Sequence, residues 1–232
     1  QGIECNTLTD LMLINSDFSA TIFKRILGRQ PEVIYPVIIP PKQLNDNSEA
    51  YILMVNPSIA KGVDVVFYLA RCFPDLHFKL VGALGEDNTY LELKKYPNIS
   101  YCPHTNDMSA LYQQAYAVLF PSCLEETFGR VPVEAMWHRV LVIARDIGAV
   151  SSVVEKHALL VAKNAPMSEW SDIITWLLAH PTEKKEIEAQ AYEFVKQKFD
   201  PIVILNKFEQ QLTQLLKRQV VSYIKEFTCP SF

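Results

Sequence analysis

Two carboxylates, Glu126 and Glu134, stand with seven residues between them in the run Phe120-Pro121-Ser122-Cys123-Leu124-Glu125-Glu126-Thr127-Phe128-Gly129-Arg130-Val131-Pro132-Val133-Glu134-Ala135-Met136. Glu126 falls in a loop and Glu134 in the opening turns of a helix. Gly129 lets the backbone approach a ligand with no side chain in the way, and the free N–H groups of a helix start favour an anion. The local chemistry is a set of anion-binding amides flanked by two hydrogen-bond acceptors. A molecule carrying both a diphosphate and many hydroxyls, as a nucleotide sugar does, suits it. An ordinary capped helix would contain the same residues, so spacing alone leaves both readings standing. Lys61, after a strand and before a helix, is the candidate cation, although by itself it reads as a solvated lysine in a turn.

The elements that must hold these residues are legible as alternation. Ala117, Val118, Leu119 and Phe120 form a short apolar run that suits a strand covered on both faces, and Pro121 with Ser122 stops it. Pro132 is tolerated in a first helical turn, where its missing N–H would be an orphan, and Val133, Ala135, Met136 and Trp137 continue the helix. Upstream, the pattern predicts strands at Tyr51 to Val55, His77 to Val81 and Ile99 to Cys102, with helices at Val63 to Cys72 and Met108 to Tyr116. Downstream, Leu141 to Ala144 and Leu159 to Val161 complete the strands. Strand and helix in alternation imply a doubly wound α/β fold: a Rossmann-like parallel sheet with helices on both faces and ligands bound beyond the carboxyl ends of its strands. Every motif named here falls at such an end.

The flanks read differently. Leu11 to Asn15 predicts a strand, Ser16 or Asp17 a cap for a helix through Leu27 that Gly28 ends, and Val33 to Ile39 a second strand. Pro40-Pro41 and the polar Gln43 to Glu49 look like a linker or loop. Past Met167 the chain is helical, with Trp170, Ile173, Ile174 and Leu177 at helical spacing, a break at His180-Pro181, and a further helix from Thr182 and Glu186 to Phe199. Asp200-Pro201 opens a last long helix with the apolar stripe Leu212, Leu215, Leu216, Val220, Tyr223 and Phe227, which reads as a packing face rather than a membrane contact.

Composition excludes several classes. Of 232 residues, 49% are hydrophobic and 21% charged, as in ordinary globular chains, and a net charge of -4 argues against a nucleic-acid binder that works by neutralising phosphates. Cys5, Cys72, Cys102, Cys123 and Cys229 are odd in number and scattered, with no zinc-ligand spacing, so reduced thiols and a cytoplasmic location are expected. Cys123 is read as a loop residue rather than a nucleophile, with no His or Asp near it in sequence. No apolar run approaches a membrane span and no signal-peptide pattern appears. A chain that opens on Gln1 is expected to be part of a longer translated protein.

At Pro121-Ser122 and Glu126-x-Phe128-Gly129-(four residues)-Glu134-Ala135-Met136 the chain resembles the Glu-x7-Glu signature of retaining glycosyltransferases of the GT-B fold, in the large group 1 family. Lys61-Gly62, Val81-Gly82 and Val142-Ile143-Ala144 with Gly148 agree with it in the expected order, and the resemblance is strong from about Tyr51 to Ala162. It implies that residues 1–42 are a remnant of an N-terminal domain and linker, 43–199 a nucleotide-sugar-binding domain, and 200–232 a helix packing back toward the missing N-terminal domain. It implies catalytic roles for Glu126, toward the donor sugar's hydroxyls, and for Lys61, on the diphosphate. Asn56, Tyr101, Cys102, Pro103, Phe128, Gly129, Arg130, Val131 and Glu134 would complete the donor site, with Glu134 on the ribose and residues 101–103 at the base. Departure of a diphosphate needs cations, amides or a metal. No Asp-x-Asp pair is present, so a metal-independent site with no cofactor beyond the nucleotide-sugar substrate is expected. Many relatives place an Arg where this chain has Asn56-Pro57, and Arg130 or Arg145 are the candidate substitutes. His104, just past the base-binding strand, reads as a solvent-facing loop residue.

The acceptor is not legible, and the isolated chain is expected to be inactive because the acceptor site belongs to the absent half. Peripheral association with the inner face of a membrane is left open. Three alternatives remain: a non-catalytic nucleotide-sugar-binding module, a subunit of a split transferase, and a GT-B-fold nucleotide-sugar epimerase.

Overall fold

The computed structural model describes residues 10–44, 49–84 and 89–228, with the side chains of the last helix followed to residue 218. Cys5, Cys229, residues 45–48 of the expected linker and the side chains of Val220, Tyr223 and Phe227 lie outside the described residues. The chain divides into two compact units, Ile38–Lys198 and the residues up to Val37 together with those from Phe199.

The smaller unit begins with β1 (Leu13–Ile14), α1 (Asp17–Leu27) and β2 (Glu32–Val33), the two strands pairing in parallel. Ser16 caps α1 by accepting from the Ser19 N–H at 3.1 Å, and Gly28 ends it in the left-handed region at φ 66°. Both follow from residue type: a short hydroxyl side chain takes an orphan amide, and glycine alone enters that region freely. The strand expected over Val33 to Ile39 is reduced to Glu32–Val33. After the Ile34 N–H reaches the Ile14 carbonyl at 2.8 Å, β1 has ended, and Pro36 has no N–H to offer a partner.

The larger unit holds a six-stranded, wholly parallel sheet. Its strands are β3 (Tyr51–Val55), β4 (Phe78–Val81), β5 (Ile99–Cys102), β6 (Ala115–Phe120), β7 (Leu141–Asp146) and β8 (Leu159–Ala162), in spatial order β5-β4-β3-β6-β7-β8. Helices α2 (Val63–Cys72), α3 (Thr89–Leu93), α4 (Met108–Tyr112), α5 (Arg130–Trp137), α6 (Val150–Val154), α7 (Met167–Ala179) and α8 (Pro181–Lys198) flank it, and α9 (Pro201–Thr228) follows. Strands β3 and β6 pair through Ile52 with Ala117, Leu53 with Val118 and Met54 with Leu119, all buried, which explains why these runs are apolar on both faces. The order reverses between them. The chain builds outward from β3 through β4 and β5, then returns to lay β6, β7 and β8 on the other side, so the carboxyl ends of β3 and β6 face one crevice.

Two boundaries differ from expectation. The helix foreseen to Tyr116 stops at Tyr112, because β6 starts at Ala115 and is drawn into register with Tyr51. The helix foreseen from Thr182 starts at Pro181, where a missing N–H is tolerated. Short helices α3 and α6 were not foreseen at all. The Asp200 cap of α9 is present, its Oδ1 accepting from the Ile202 N–H at 2.7 Å and the Val203 N–H at 3.2 Å. Leu212 and Leu216, of the apolar stripe, are exposed.

At the amino end of the sheet, opposite the crevice, lies a buried ionic cluster. Lys184, with a side chain 1% exposed, donates to Glu49 Oε1 at 2.9 Å and to Glu188 Oε1 at 2.7 Å, and stands 4.5 Å over the Tyr116 ring. Glu188 Oε1 also accepts the Leu141 N–H at 3.2 Å, fastening α8 to the first residue of β7. Removing one partner from such a group leaves uncompensated buried charge. Lys184→Met is therefore expected to lower unfolding free energy by about 3–5 kcal/mol in urea titration; a loss under about 1 kcal/mol would show that water screens the cluster.

Candidate functional site

The loop after β3 is built to press on the loop after β6. Asn56 enters the left-handed region at φ 54°, and Ser58 caps a 3-10 turn, Ile59–Lys61, by accepting from the Lys61 N–H at 3.3 Å. Gly62 follows at φ 79°, and a Cβ there would stand 2.2 Å from the Pro121 carbonyl oxygen. Only glycine permits that approach. The Cys123 N–H closes the contact on the Ala60 carbonyl at 3.0 Å.

This brings Lys61 onto Glu126. The ammonium donates to Glu126 Oε1, and the buried Ser122 hydroxyl donates to the same oxygen at 2.9 Å. The side chains of Lys61 and Glu126 are 30% and 17% exposed, so the pair is accessible from the crevice rather than sealed. The Glu126 backbone is clamped from the loop after β7: the Ala149 N–H donates to its carbonyl at 2.8 Å, and a Cβ on Gly148 (φ 60°) would fall 2.5 Å from that oxygen. Arg145, a candidate second cation, instead donates to the backbone carbonyls of Pro121 at 3.2 Å and Lys163 at 3.0 Å, over the Trp170 ring.

Helix α5 carries the other carboxylate. Gly129 forms its N-cap at φ 81° with no side chain to cap the first turn, Phe128 is buried beneath, Val131 is half-buried and Arg130 is exposed. Glu134 sits one turn further on. Its Oε1 meets Arg130 Nε at 3.3 Å and its Oε2 accepts from the buried Tyr112 hydroxyl at 2.9 Å. Burial, reinforced by the Glu134 charge, pushes the Tyr112 phenol well above its ordinary value. His138 ends the helix: Nδ1 must donate to the Glu134 carbonyl (2.7 Å), so the neutral ring accepts at Nε2 from Ser109 Oγ (2.9 Å).

At the far side of the crevice the polar groups hold one another. The Tyr101 hydroxyl donates to the Gly82 carbonyl at 2.9 Å, the Cys102 carbonyl accepts the Gly82 N–H at 3.2 Å, and Asn56 Oδ1 accepts the Ala83 N–H at 3.2 Å. Pro103 and His104 follow, exposed, at the end of β5. Lys61 and Glu126 are thus joined directly and Arg130 joins Glu134, while no hydrogen bond links either pair to Asn56, Tyr101 or Cys102. Sequence reasoning named Ser122 as part of the signature but gave it no site role, and it missed Tyr112, which nothing local marks.

Among the described residues, Cys72, Cys102 and Cys123 are free thiols, and no three His, Cys, Asp or Glu side chains group as metal ligands. No described helix is long and apolar enough to cross a membrane.

A family model described as glycosyl transferases group 1 matches residues 38–194. HepE of Anabaena, solved in complex with UDP-glucose, is similar with a TM-score of 0.79 and 23% identity, over 90% of this chain and 65% of that one. Human alpha-1,3/1,6-mannosyltransferase ALG2 is 22% identical over 249 residues, 90% of this chain and 59% of that protein. Trehalose synthase of Pyrococcus horikoshii is 31% identical over 97 residues, 41% of this chain and 23% of that protein. The chain spans less than two thirds of each of these relatives. The likeness to HepE is one of fold, and the parallel sheet with its helices is the Rossmann-like domain of the GT-B fold.

Burial holds His138 below its ordinary 6.5, so the folded chain favours the neutral ring. The unfolded chain takes up a proton more readily. The stability contributed by the neutral ring is thus complete above about pH 6.5 and is lost as pH falls through the lower folded value. Urea midpoints measured from about pH 7.5 down to about pH 5 are expected to fall more steeply for the wild type than for His138→Gln; parallel curves would contradict it.

Proposed function

The chain belongs to the group 1 glycosyl transferases, and from that premise we propose that it is the donor-binding half of a retaining glycosyltransferase that moves a sugar from a nucleotide diphosphate sugar to an acceptor. The observation that carries this reading is the Lys61–Glu126 contact at the point where the sheet order reverses, with Glu134 on the adjoining helix. HepE, solved with UDP-glucose, supports a nucleotide-sugar ligand for a domain of this shape.

In this reading the diphosphate lies against Lys61 and the first-turn amides of α5, which Gly129 leaves uncovered. As the sugar–phosphate bond breaks, charge grows on the departing phosphate, and a cation and fixed amides stabilise it without reorganising. Glu126 accepts from the hydroxyls of the transferred sugar, and Glu134 from those of the ribose. Tyr101, Cys102 and Pro103 border the base. No further cofactor is required. Arg130 supplies the second positive charge that Asn56 does not, since it is exposed and, among the described residues, ion-paired with Glu134 alone, whereas Arg145 is engaged with backbone. Residues 1–42 are a remnant of the acceptor-binding half, toward which 200–232 pack, so the chain by itself binds donor weakly and transfers nothing. A cytoplasmic protein, with any membrane contact confined to the surface, fits this reading.

A thermal-shift panel of uridine, guanosine and adenosine diphosphate sugars tests it. One member is expected to raise the melting temperature, and Glu134→Ala to abolish most of that rise. No shift with any donor at millimolar concentration would sink the reading.

The Lys61–Glu126 pair yields a second expectation. Glu126 engages the cation that the phosphate needs. Glu126→Gln removes the competitor and is expected to tighten binding of the free nucleoside diphosphate by about fivefold, on the order of 1 kcal/mol for a partly exposed pair, while abolishing sugar transfer in the full-length enzyme. Calorimetry showing weaker diphosphate binding in Glu126→Gln would contradict it.

A further inference from the structure

The two oxygens of Glu134 are held very differently. Oε1 faces Arg130 Nε at 3.3 Å, from a side chain 62% exposed, a contact that an arriving ligand displaces at little cost. Oε2 accepts from the Tyr112 hydroxyl at 2.9 Å, and Tyr112 is 1% exposed. Nor can the tyrosine drift. It lies at the end of α4, its ring 4.9 Å from the His138 ring, and His138 bonds Ser109 on α4 while bonding the Glu134 carbonyl on α5. One turn of α4 is therefore stapled to α5 at two points, and the second staple is the Glu134 carboxylate itself.

A glutamate without such an anchor samples several rotamers and must be ordered when a ligand binds. Here one oxygen is tied from the protein interior, which leaves Oε1 and the remaining lone pair of Oε2 for outward acceptance. Two acceptor sites on one fixed carboxylate match a vicinal diol. We propose that Tyr112 is a positioning residue that presets Glu134 for the 2′ and 3′ hydroxyls of a ribonucleotide, and so sets the preference for ribonucleoside over deoxyribonucleoside diphosphates. This rests on the reading of Glu134 as the ribose acceptor, and it assigns the selectivity of that contact to a side chain that does not touch the ligand.

The test is calorimetric titration of the whole chain with uridine and guanosine diphosphates, each against its 2′-deoxy form. The wild type is expected to bind the better ribonucleotide at least about tenfold tighter than its deoxy counterpart, as for a hydrogen bond to a charged group. Glu134→Ala is expected to erase that ratio. Tyr112→Phe is expected to reduce it to about twofold, weakening the ribonucleotide more than its 2′-deoxy form, which keeps only the 3′ hydroxyl for Glu134 to accept from; that unequal loss is the mark of lost orientation rather than a damaged site. Tyr112→Phe with the full ratio, in a chain where Glu134→Ala has lost it, overturns the role of Tyr112 alone. Equal weakening of both ligands overturns it too, since that is what a merely structural tyrosine would give. A wild type without any ratio removes the ribose reading of Glu134 and this inference with it. If Tyr112→Phe does not fold, Tyr112→Gln, which retains a donor, and Tyr112→Met, which has none, form the replacement pair: the ratio is expected to survive better in the first, and identical ratios overturn the proposal.

Discussion

The close approach of two loops, with the Gly62 backbone against the carbonyl of Pro121, is the constraint from which the rest of the crevice follows. Strands that run in parallel and reverse their order leave a gap above the point of reversal, and there the chains leaving β3 and β6 turn away from each other. A glycine in the left-handed region lets the first loop lie directly on the second, and the Cys123 to Ala60 hydrogen bond seals it. Lys61 and Glu126, 65 positions apart in sequence, become neighbours as a consequence.

The two ends of the sheet treat charge in opposite ways. At the amino end Lys184 is sealed between two carboxylates and an aromatic face, where a cation can serve only packing and register. At the carboxyl end the lysine–glutamate pair keeps part of its surface in solvent. A buried pair is costly to break and so is fixed; a half-exposed pair exchanges partners cheaply. The polarity of a parallel sheet, which concentrates loops and helix N-termini at one end, thus separates structural from exchangeable charge.

How much of this could be read in advance depended on range. Tyr51 to Val55 and Ala117 to Phe120 announced central strands because both of their faces are covered, and Ser16, Gly28 and Asp200 announced caps because capping is local chemistry. The Glu126 to Glu134 spacing placed both acids on the correct loop and helix for the same reason. What stayed hidden was tertiary. Whether Tyr116 is helical or extended depends on pairing with a segment about 60 residues earlier, and Val33 to Ile39 ends as a strand at Val33 because β1 is short and Pro36 offers no N–H. Gly148 gave no sign that it would lie against the Glu126 backbone, and Arg145 no sign that it would turn from ligand to main chain.

Arg145 leaves a mechanical consequence. Rooted on β7, its guanidinium spans the carbonyls of Pro121 and Lys163, which follow β6 and β8, while the Ala149 amide pins Glu126 beside it. Three consecutive loop crossings are thus trussed together through bonds to main-chain carbonyls, and the rim resists deformation as a girder would. Fast adjustment at this rim falls to side-chain torsions, since re-routing a loop would first require the slower local opening of that truss.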